Sequence, residues 1–452
     1  MSQYEYQTEY ALPSELIDKG SFQQLKLVSN QSKEANPAYF VGKLKYPVQT
    51  AKCLRALSNL VGSRFYIPPA MLERILREAD PVVTTSHSMI RFEGFSSCCS
   101  SYARLDINEA GFEAEKLVPG TTNVDFQSTM RAALAKVRVN DAMELSISQD
   151  EIKVVADKDS VIERKVKLPL RWIKGFSELQ AQQLSAKQYF QLNRVETIRF
   201  LRQVPRTKSR EFTWVSQQGK SIRFSPKPSS KSFKLKGLER LRLIEELAPY
   251  CETLTVYADD KSSLSCWVLK LGPLTYTLVL SAEPWRGFSG EGTLLKDLAI
   301  GKQDNIVTKV ISALKWQHRI KPEELAKQLE ETPQATANAL ALVASRGLVG
   351  FDVVNQCFFH RVLPFEKELV EKMHPRLQSA RKLVEKQAVA ISEVQGESSK
   401  QISSSVKSGD VYHQVIIDEE SERCTCPWYA KYQGSRGPCK HVLATYLMLE
   451  KK

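Results

Sequence analysis

Near the C-terminus the chain reads Cys424-Thr-Cys426, then twelve residues, then Cys439-Lys-His441, and no other feature restricts its folding so tightly. Three thiols and one imidazole complete a tetrahedral shell for a zinc ion and leave no position open for water or substrate. Residues two apart in a strand share a face but stand well separated along it. Cys424 and Cys426 therefore meet one ion only where the chain turns sharply, and Pro427 stops the strand there. Val411 to Asp418 alternates as one strand, and Ser421 to Cys426 pairs back on it through the polar Glu419-Glu420 turn. His441, Val442, Leu443, Ala444, Tyr446, Leu447 and Leu449 carry helical spacing. Positions two apart in a helix point about 200° apart, which puts Cys439 at the N-cap, where the helix dipole favours a thiolate. The expected unit is a ββα finger around one structural Zn²⁺. Three thiolates and a neutral imidazole leave one excess negative charge, for which Arg423, Arg436 and Lys440 are the expected compensation.

Disulfides and iron–sulfur clusters compete for the same residues. The nine Cys are an odd number, and Met1 to Glu15 is polar without a signal-peptide core, which argues for a reducing compartment. A Rieske centre needs a second Cys/His pair, and an all-thiolate cluster a fourth neighbouring thiol. No apolar run approaches the ~20 residues of a membrane span, so the expectation is a soluble cytoplasmic protein without membrane contact.

Arg423-Cys-Thr-Cys-Pro-Trp428 and Gly437-Pro-Cys-Lys-His-Val-Leu-Ala444 together resemble a SWIM zinc finger, whose pattern is C-x-C, a variable gap, then C-x-H; the likeness spans about Asp410 to Leu449. Thr121 to Phe126 (TTNVDF), Val166 to Gly175 (VKLPLRWIKG) and Phe358 to Pro364 (FFHRVLP) are similar to segments of bacterial SWIM-domain proteins of about this length. Those proteins are often encoded beside AAA-type ATPases of the MoxR class and von Willebrand A domain proteins. The resemblance implies binding, to DNA or to protein, and no established catalysis.

Charge narrows the choice. The net charge is +13, and Leu201 to Tyr250 alone holds twelve Lys and Arg against four Glu. A cluster that dense attracts a phosphate backbone, and Lys231, Lys234 and Lys236 are its contact candidates. A solvated basic face or a flexible basic loop is the alternative.

At 452 residues the chain has room for about three domains, and 42% hydrophobic with 25% charged residues places it among globular chains. Residues 1–35 read as a polar peripheral extension. Residues 36–290 read as α+β: helices Val48 to Leu60 and Ala70 to Glu78, then three stretches of helix followed by strands. The first is helix Ser128 to Val137 with strands Met143 to Ser148, Ile152 to Ala156 and Val161 to Val166. The second is helix Arg194 to Gln203 with strands Glu211 to Val215 and Ser221 to Phe224. The third is helix Leu238 to Leu247 with strands Thr253 to Tyr257, Ser265 to Leu271 and Thr275 to Ser281. This α-β-β(-β) repeat is suited to a continuous antiparallel sheet covered by helices. Its element order resembles sliding DNA clamps, but no clamp motif carries the likeness, and a plain α+β domain is preferred.

Trp285 to Thr293 contains RGFSGEG, which lacks the lysine of a phosphate loop and reads as a linker. Residues 291–365 hold three expected helices, Ile306 to Trp316, Lys321 to Leu329 and Pro333 to Ser345, and a hairpin of Leu348 to Asp352 with Cys357 to Val362, the order of a winged helix-turn-helix. The third helix offers only Gln334, Asn338 and Arg346 to a DNA groove, which favours protein contact or scaffolding. Residues 366–409 read as a charged helix, Glu366 to Gln387, and a Ser/Lys-rich stretch, Ser392 to Gly409, that is either linker or approach to the finger; residues 410–452 are the finger.

Between its ligands the finger offers Trp428, Tyr429, Lys431, Tyr432 and Arg436, rings interleaved with cations as stacked bases and phosphates require; Lys431 and Arg436 are the better contact candidates, since Trp428 also suits packing over the metal. Cys53, Cys251, Cys266 and Cys357 read as core, Cys98-Cys99 as buried small apolar residues, and His360 with Arg361 as a structural hydrogen-bonding pair. No catalytic constellation assembles from neighbouring positions. The sequence thus points to a non-enzymatic zinc protein that binds DNA or another nucleic acid through a basic surface. The alternative is an adaptor serving an AAA ATPase and a von Willebrand A domain protein.

Overall fold

Eight antiparallel strands form the largest sheet of the computed structural model, in the order 187–193, 253–259, 264–271, 274–280, 101–108, 89–95, 82–85, 120–123. The structure describes residues 8–10, 15–18, 22–27, 39–65, 81–123, 128–139, 142–147, 163–165, 170–208, 211–259, 264–285, 287–288, 292, 295, 299, 304–363, 374–395, 400–418, 421–434 and 436–449. Leu264–Leu271 and Leu274–Leu280 sit at the middle of the sheet, and every residue of them but Lys270 and Thr275 is buried. They are joined by a tight turn in which Gly272 takes φ +60°. Helix Pro47–Gly62 opens with a proline in its first turn and buries Leu54, Leu57 and Val61, one stripe at helical spacing. Helix Leu170–Gln183 buries Trp172 and Phe176, whose rings meet Phe95 edge-on at 5.8 and 4.9 Å. Each such fully buried side chain contributes about 2–3 kcal/mol. Among the described residues no helix is long and apolar enough to cross a membrane.

The three helix-plus-strand stretches do not extend one sheet. Strands from the first pair in two others: Ala142–Ile147 lies between Phe22–Leu27 and Phe40–Leu44, and Glu163–Lys165 pairs with Thr8–Tyr10. Those of the second join Ser232–Lys236, a strand not expected from the sequence, in a separate three-stranded sheet, and those of the third join the large one. The Leu238–Tyr250 segment is a 3₁₀ helix. Expected elements 70–78 and 152–156 lie outside the described residues. Three strands, Thr8–Tyr10, Glu15–Asp18 and Phe22–Leu27, stand where a polar extension was expected. Thr8–Tyr10 and Phe22–Leu27 find partners far along the chain, which local pattern does not reveal, and Glu15–Asp18 pairs with its neighbour Phe22–Leu27.

Helices Asp304–Ala313, Pro322–Leu329 and Pro333–Ser345 and the hairpin Val349–Asp352 with Cys357–His360 fall close to their expected places, and Thr332 caps the third helix by accepting from the Ala335 amide at 3.2 Å. Both hairpin strands are buried throughout, and so is Leu342 to Ser345 of the third helix. They pack against helix Leu170–Gln183, where the Ser177 hydroxyl donates to the Ser345 carbonyl at 2.9 Å.

An ionic network joins this unit to the large sheet. Arg361 pairs with Glu93, both fully buried, and the Tyr102 hydroxyl donates to the same carboxylate at 2.6 Å. Arg104 pairs with Asp106 at 2.8 Å and Asp352 at 3.1 Å and donates to the Phe351 carbonyl, while Arg91 holds the other oxygen of Asp106 at 2.6 Å. Burial raises the Asp352 carboxyl, but Arg104 and then Arg91 outweigh it and hold it at about 2. His360, expected to be structural, accepts from the Trp316 amide at 2.8 Å through Nδ1, and burial lowers it to about 4, so it stays neutral.

Candidate metal centre

Four antiparallel strands in sequence order, Val389–Gln395, Lys400–Ser408, Val411–Ile417 and Glu422–Cys424, carry the Cys/His cluster. The Ser/Lys-rich stretch thus supplies the end of the first strand and the whole of the second, and the ββα expectation grows by two strands. Helix Lys440–Leu449 crosses the sheet and helix Pro375–Glu385 packs on it. Val406, Val415, Val442, Leu443 and Ala444 make the core, with Leu377 and Ala380 from the neighbouring helix and Leu295 and Ala299 from the segment after the Gly-rich stretch. That stretch therefore leads into packed structure.

Each ligand is placed by a local stop signal. Cys424 ends the last strand opposite Val415. Cys426 caps the short helix Pro427–Tyr432, its sulfur accepting from the Tyr429 amide at 3.4 Å, and Pro427 occupies the first turn. Cys439 precedes helix Lys440–Leu449 and its carbonyl accepts from the Leu443 amide at 3.0 Å. Two helix N-termini thus face the cluster with their partial positive charge. All four residues are buried, and their ligand atoms lie within 4.8 Å of one another. His441 Nδ1 stands 3.7 Å from Cys424 Sγ and 4.0 Å from Cys439 Sγ. A tetrahedral zinc with bonds of about 2.0–2.3 Å sets neighbouring ligand atoms about 3.5–4 Å apart, so the donors fit.

Protonation makes the same case. A hydrogen bond from the Cys424 thiol holds Cys439 down to about 4, while Cys424 is raised well above the usual thiol value by that bond and by burial, and burial raises Cys426. Three buried sulfurs carry one negative charge comfortably; a divalent cation allows all three to ionise. His441 Nε2 is buried without a hydrogen-bond partner among the described residues, and the ring of His413 covers it at 4.3 Å between centroids.

The basic segment folds into the three-stranded sheet Ser221–Ser225, Phe212–Gln218, Ser232–Lys236. Its inner face, Val215, Ile222, Phe233 and Leu235, is buried, with Phe233 against Phe190 and Trp267. Lys234 and Lys236 lie on the other face: Lys234 Nζ is 3.8 Å from the Phe212 ring centre, and Lys236 Nζ is 3.9 Å from that of Trp285. Lys231 stands apart, exposed in the preceding turn with φ +58°. Arg202, Arg206, Lys208, Lys220, Arg223 and Lys227 are exposed. Arg240 is not a contact residue: it is fully buried and donates to the carbonyls of Ser100, Lys236, Gly237 and Ser281.

Residues 413–450 match the family model of the SWIM zinc finger. This chain carries a SWIM zinc finger. Its Cys424/Cys426/Cys439/His441 cluster suits one structural zinc ion. No curated protein matches the chain. Among solved structures, Proliferating Cellular Nuclear Antigen from Entamoeba histolytica aligns with 55% of this chain and 100% of its own, at 10% identity and a TM-score of 0.34. A superposition that loose carries no argument.

The cations expected to balance the SWIM finger's thiolates turn elsewhere. Arg423 is exposed and pairs with Asp418 at 3.5 Å, because strand alternation points it away from Cys424. Lys440 donates to the Ser408 hydroxyl at 2.9 Å, and Arg436 lies over the Tyr432 ring at 4.4 Å. Lys431 is exposed, 5.3 Å from the same ring. The residue that sequence reasoning missed is Arg376. Its Nη1 donates to the carbonyls of Arg436 and Pro438 at 2.7 and 3.0 Å, and its guanidinium covers the Trp428 ring at 4.6 Å, clamping the turn that delivers Cys439. A Cβ on Gly292 would fall 2.0 Å from Arg376 Nη2 and 2.9 Å from the Arg436 carbonyl oxygen that this arginine holds, which disfavours a larger residue at that glycine of the Gly-rich stretch.

Proposed function

We propose that the chain is a non-enzymatic, zinc-structured nucleic-acid-binding protein, with DNA the first ligand to test. The observation that carries this reading is the fold of the basic segment. Its inner face is spent on the core, while Arg202, Arg206, Lys208, Lys220, Arg223, Lys227 and Lys231 are exposed. Phosphates meet such a surface by displacing counterions. The SWIM finger adds Lys431 and Arg436 at its rim, and its ion, with four protein donors, has a folding role. The helix–hairpin unit is read as a winged-helix-like scaffold, because the C-terminal end of its third helix and its hairpin are buried, packed against helix Leu170–Gln183.

Binding of labelled DNA at two salt concentrations tests this. The reading requires affinity that falls with salt and a smaller salt slope in Lys231→Ala/Lys234→Ala/Lys236→Ala. Salt-insensitive binding, or none at low salt, contradicts it. The adaptor reading rests on one observation, Val411 and Tyr412, 56% and 61% exposed at a hairpin tip of the finger sheet. An AAA-type ATPase or a von Willebrand A domain protein would then lose affinity on Tyr412→Ala and keep it in the triple lysine variant.

A further inference from the structure

The outward face of the three-stranded sheet has a composition that electrostatic attraction alone does not require. Pairing fixes its members: Phe212 opposite Lys236, Trp214 opposite Lys234 and Ser225, Ser216 opposite Ser232 and Arg223, and Gln218 opposite Ser221, with Ser216 and Ser232 buried. Directly paired residues share a face, so two aromatic rings stand among three cations with no carboxylate on these strand positions. Trp285, 43% exposed, adds a third ring beside Lys236. Ordinary sheets that face water carry polar side chains there, and rings left half-buried on such a face need another use.

We propose that this face binds single-stranded nucleic acid, with Trp214 as the stacking surface for a base and Lys234, Lys236 and Arg223 as the phosphate contacts. The inference rests on the nucleic-acid reading above and names its ligand class. A single strand is specified because an unpaired base can leave its neighbours and lie on a ring, whereas a duplex hides its base faces. Lys234 and Lys236 are two residues apart on one strand, about 7 Å, which sets two cations in a row along the sheet edge. Their ammonium groups sit over the Phe212 and Trp285 rings, which orders them before a ligand arrives. The core-packed inner face makes the platform rigid.

The test uses the full-length zinc-loaded protein and fluorescence anisotropy with a labelled oligodeoxythymidine, its duplex with oligodeoxyadenosine, and heparin as a polyanion without bases. Trp214→Ala is expected to weaken single-strand binding about tenfold, with duplex and heparin affinities and the salt slope nearly unchanged. Trp214→Phe, which keeps a ring, is expected to retain most of the affinity and guards against a folding artefact. Lys234→Ala/Lys236→Ala is expected to lower the single-strand salt slope by about 1.4. Equal affinity in Trp214→Ala, or an equal loss for all three ligands, overturns the stacking assignment while salt-dependent binding keeps the broader reading. Absence of binding to every nucleic acid at low salt overturns both.

Discussion

The SWIM finger and the buried network between the large sheet and the helix–hairpin unit both place ionisable groups out of water, and they settle the resulting charge in opposite ways. In the network, Arg91, Arg104 and Arg361 face Glu93, Asp106 and Asp352, three cations against three carboxylates. In the finger, three sulfurs and an imidazole face one another, and the nearby Arg423, Arg436 and Lys440 engage other partners. One site is complete within the chain and the other needs an ion from outside. Burial alone therefore does not distinguish a metal centre from a structural ion cluster; the balance of charge does.

Removal of zinc by a chelator, or Cys439→Ser, is the strongest test of that contrast. A structural zinc supplies about 10–16 kcal/mol of apparent binding free energy, so the finger's protection from hydrogen exchange should be lost while the eight-stranded sheet keeps its own. Global loss of protection would mean that the two regions fold as one. Next in size is Arg361→Ala, which leaves Glu93 buried and uncompensated. Such losses cost about 3–5 kcal/mol, to be read as a lower Tm with zinc content unchanged. Replacement of both by apolar residues should cost much less.

Acid separates the regions a third way. Zinc must displace protons from Cys424 and Cys426, whose thiols are raised, so its affinity rises with pH and falls on acidification. Asp352 is depressed to about 2; its contribution is present above its unfolded value and is lost only as pH falls through about 2. A titration followed by zinc release and by near-UV circular dichroism should show the metal leaving first. The smallest effect belongs to Arg376→Ala, which removes two hydrogen bonds and a ring contact from the turn before Cys439. About 1–2 kcal/mol, seen as zinc loss to a chelator accelerated roughly tenfold, is expected.

What was legible in the sequence was local. The ligand spacing, the proline stop after Cys426 and the helix carrying His441 all lie within one short segment, and each recurs in the structure. The three helices and hairpin of residues 304–360 were legible for the same reason. The network was not, because Arg361 and Glu93 are 268 positions apart and a charged residue inside an apolar strand looks the same in sequence whether or not it has a partner. Strand Phe22–Leu27 escaped notice likewise, since its parallel partner is Ala142–Ile147. Arg376 belongs to a helix outside the motif and acts on backbone carbonyls, which leave no mark in a side-chain pattern.

The claim that the finger is completed by an ion is tested most directly by zinc content. Protein purified without added metal, and its Cys439→Ser variant, would be assayed for zinc per chain alongside circular dichroism. One zinc per folded chain, absent from a variant that keeps the large sheet, is the predicted result. A native-like finger holding no zinc would contradict it.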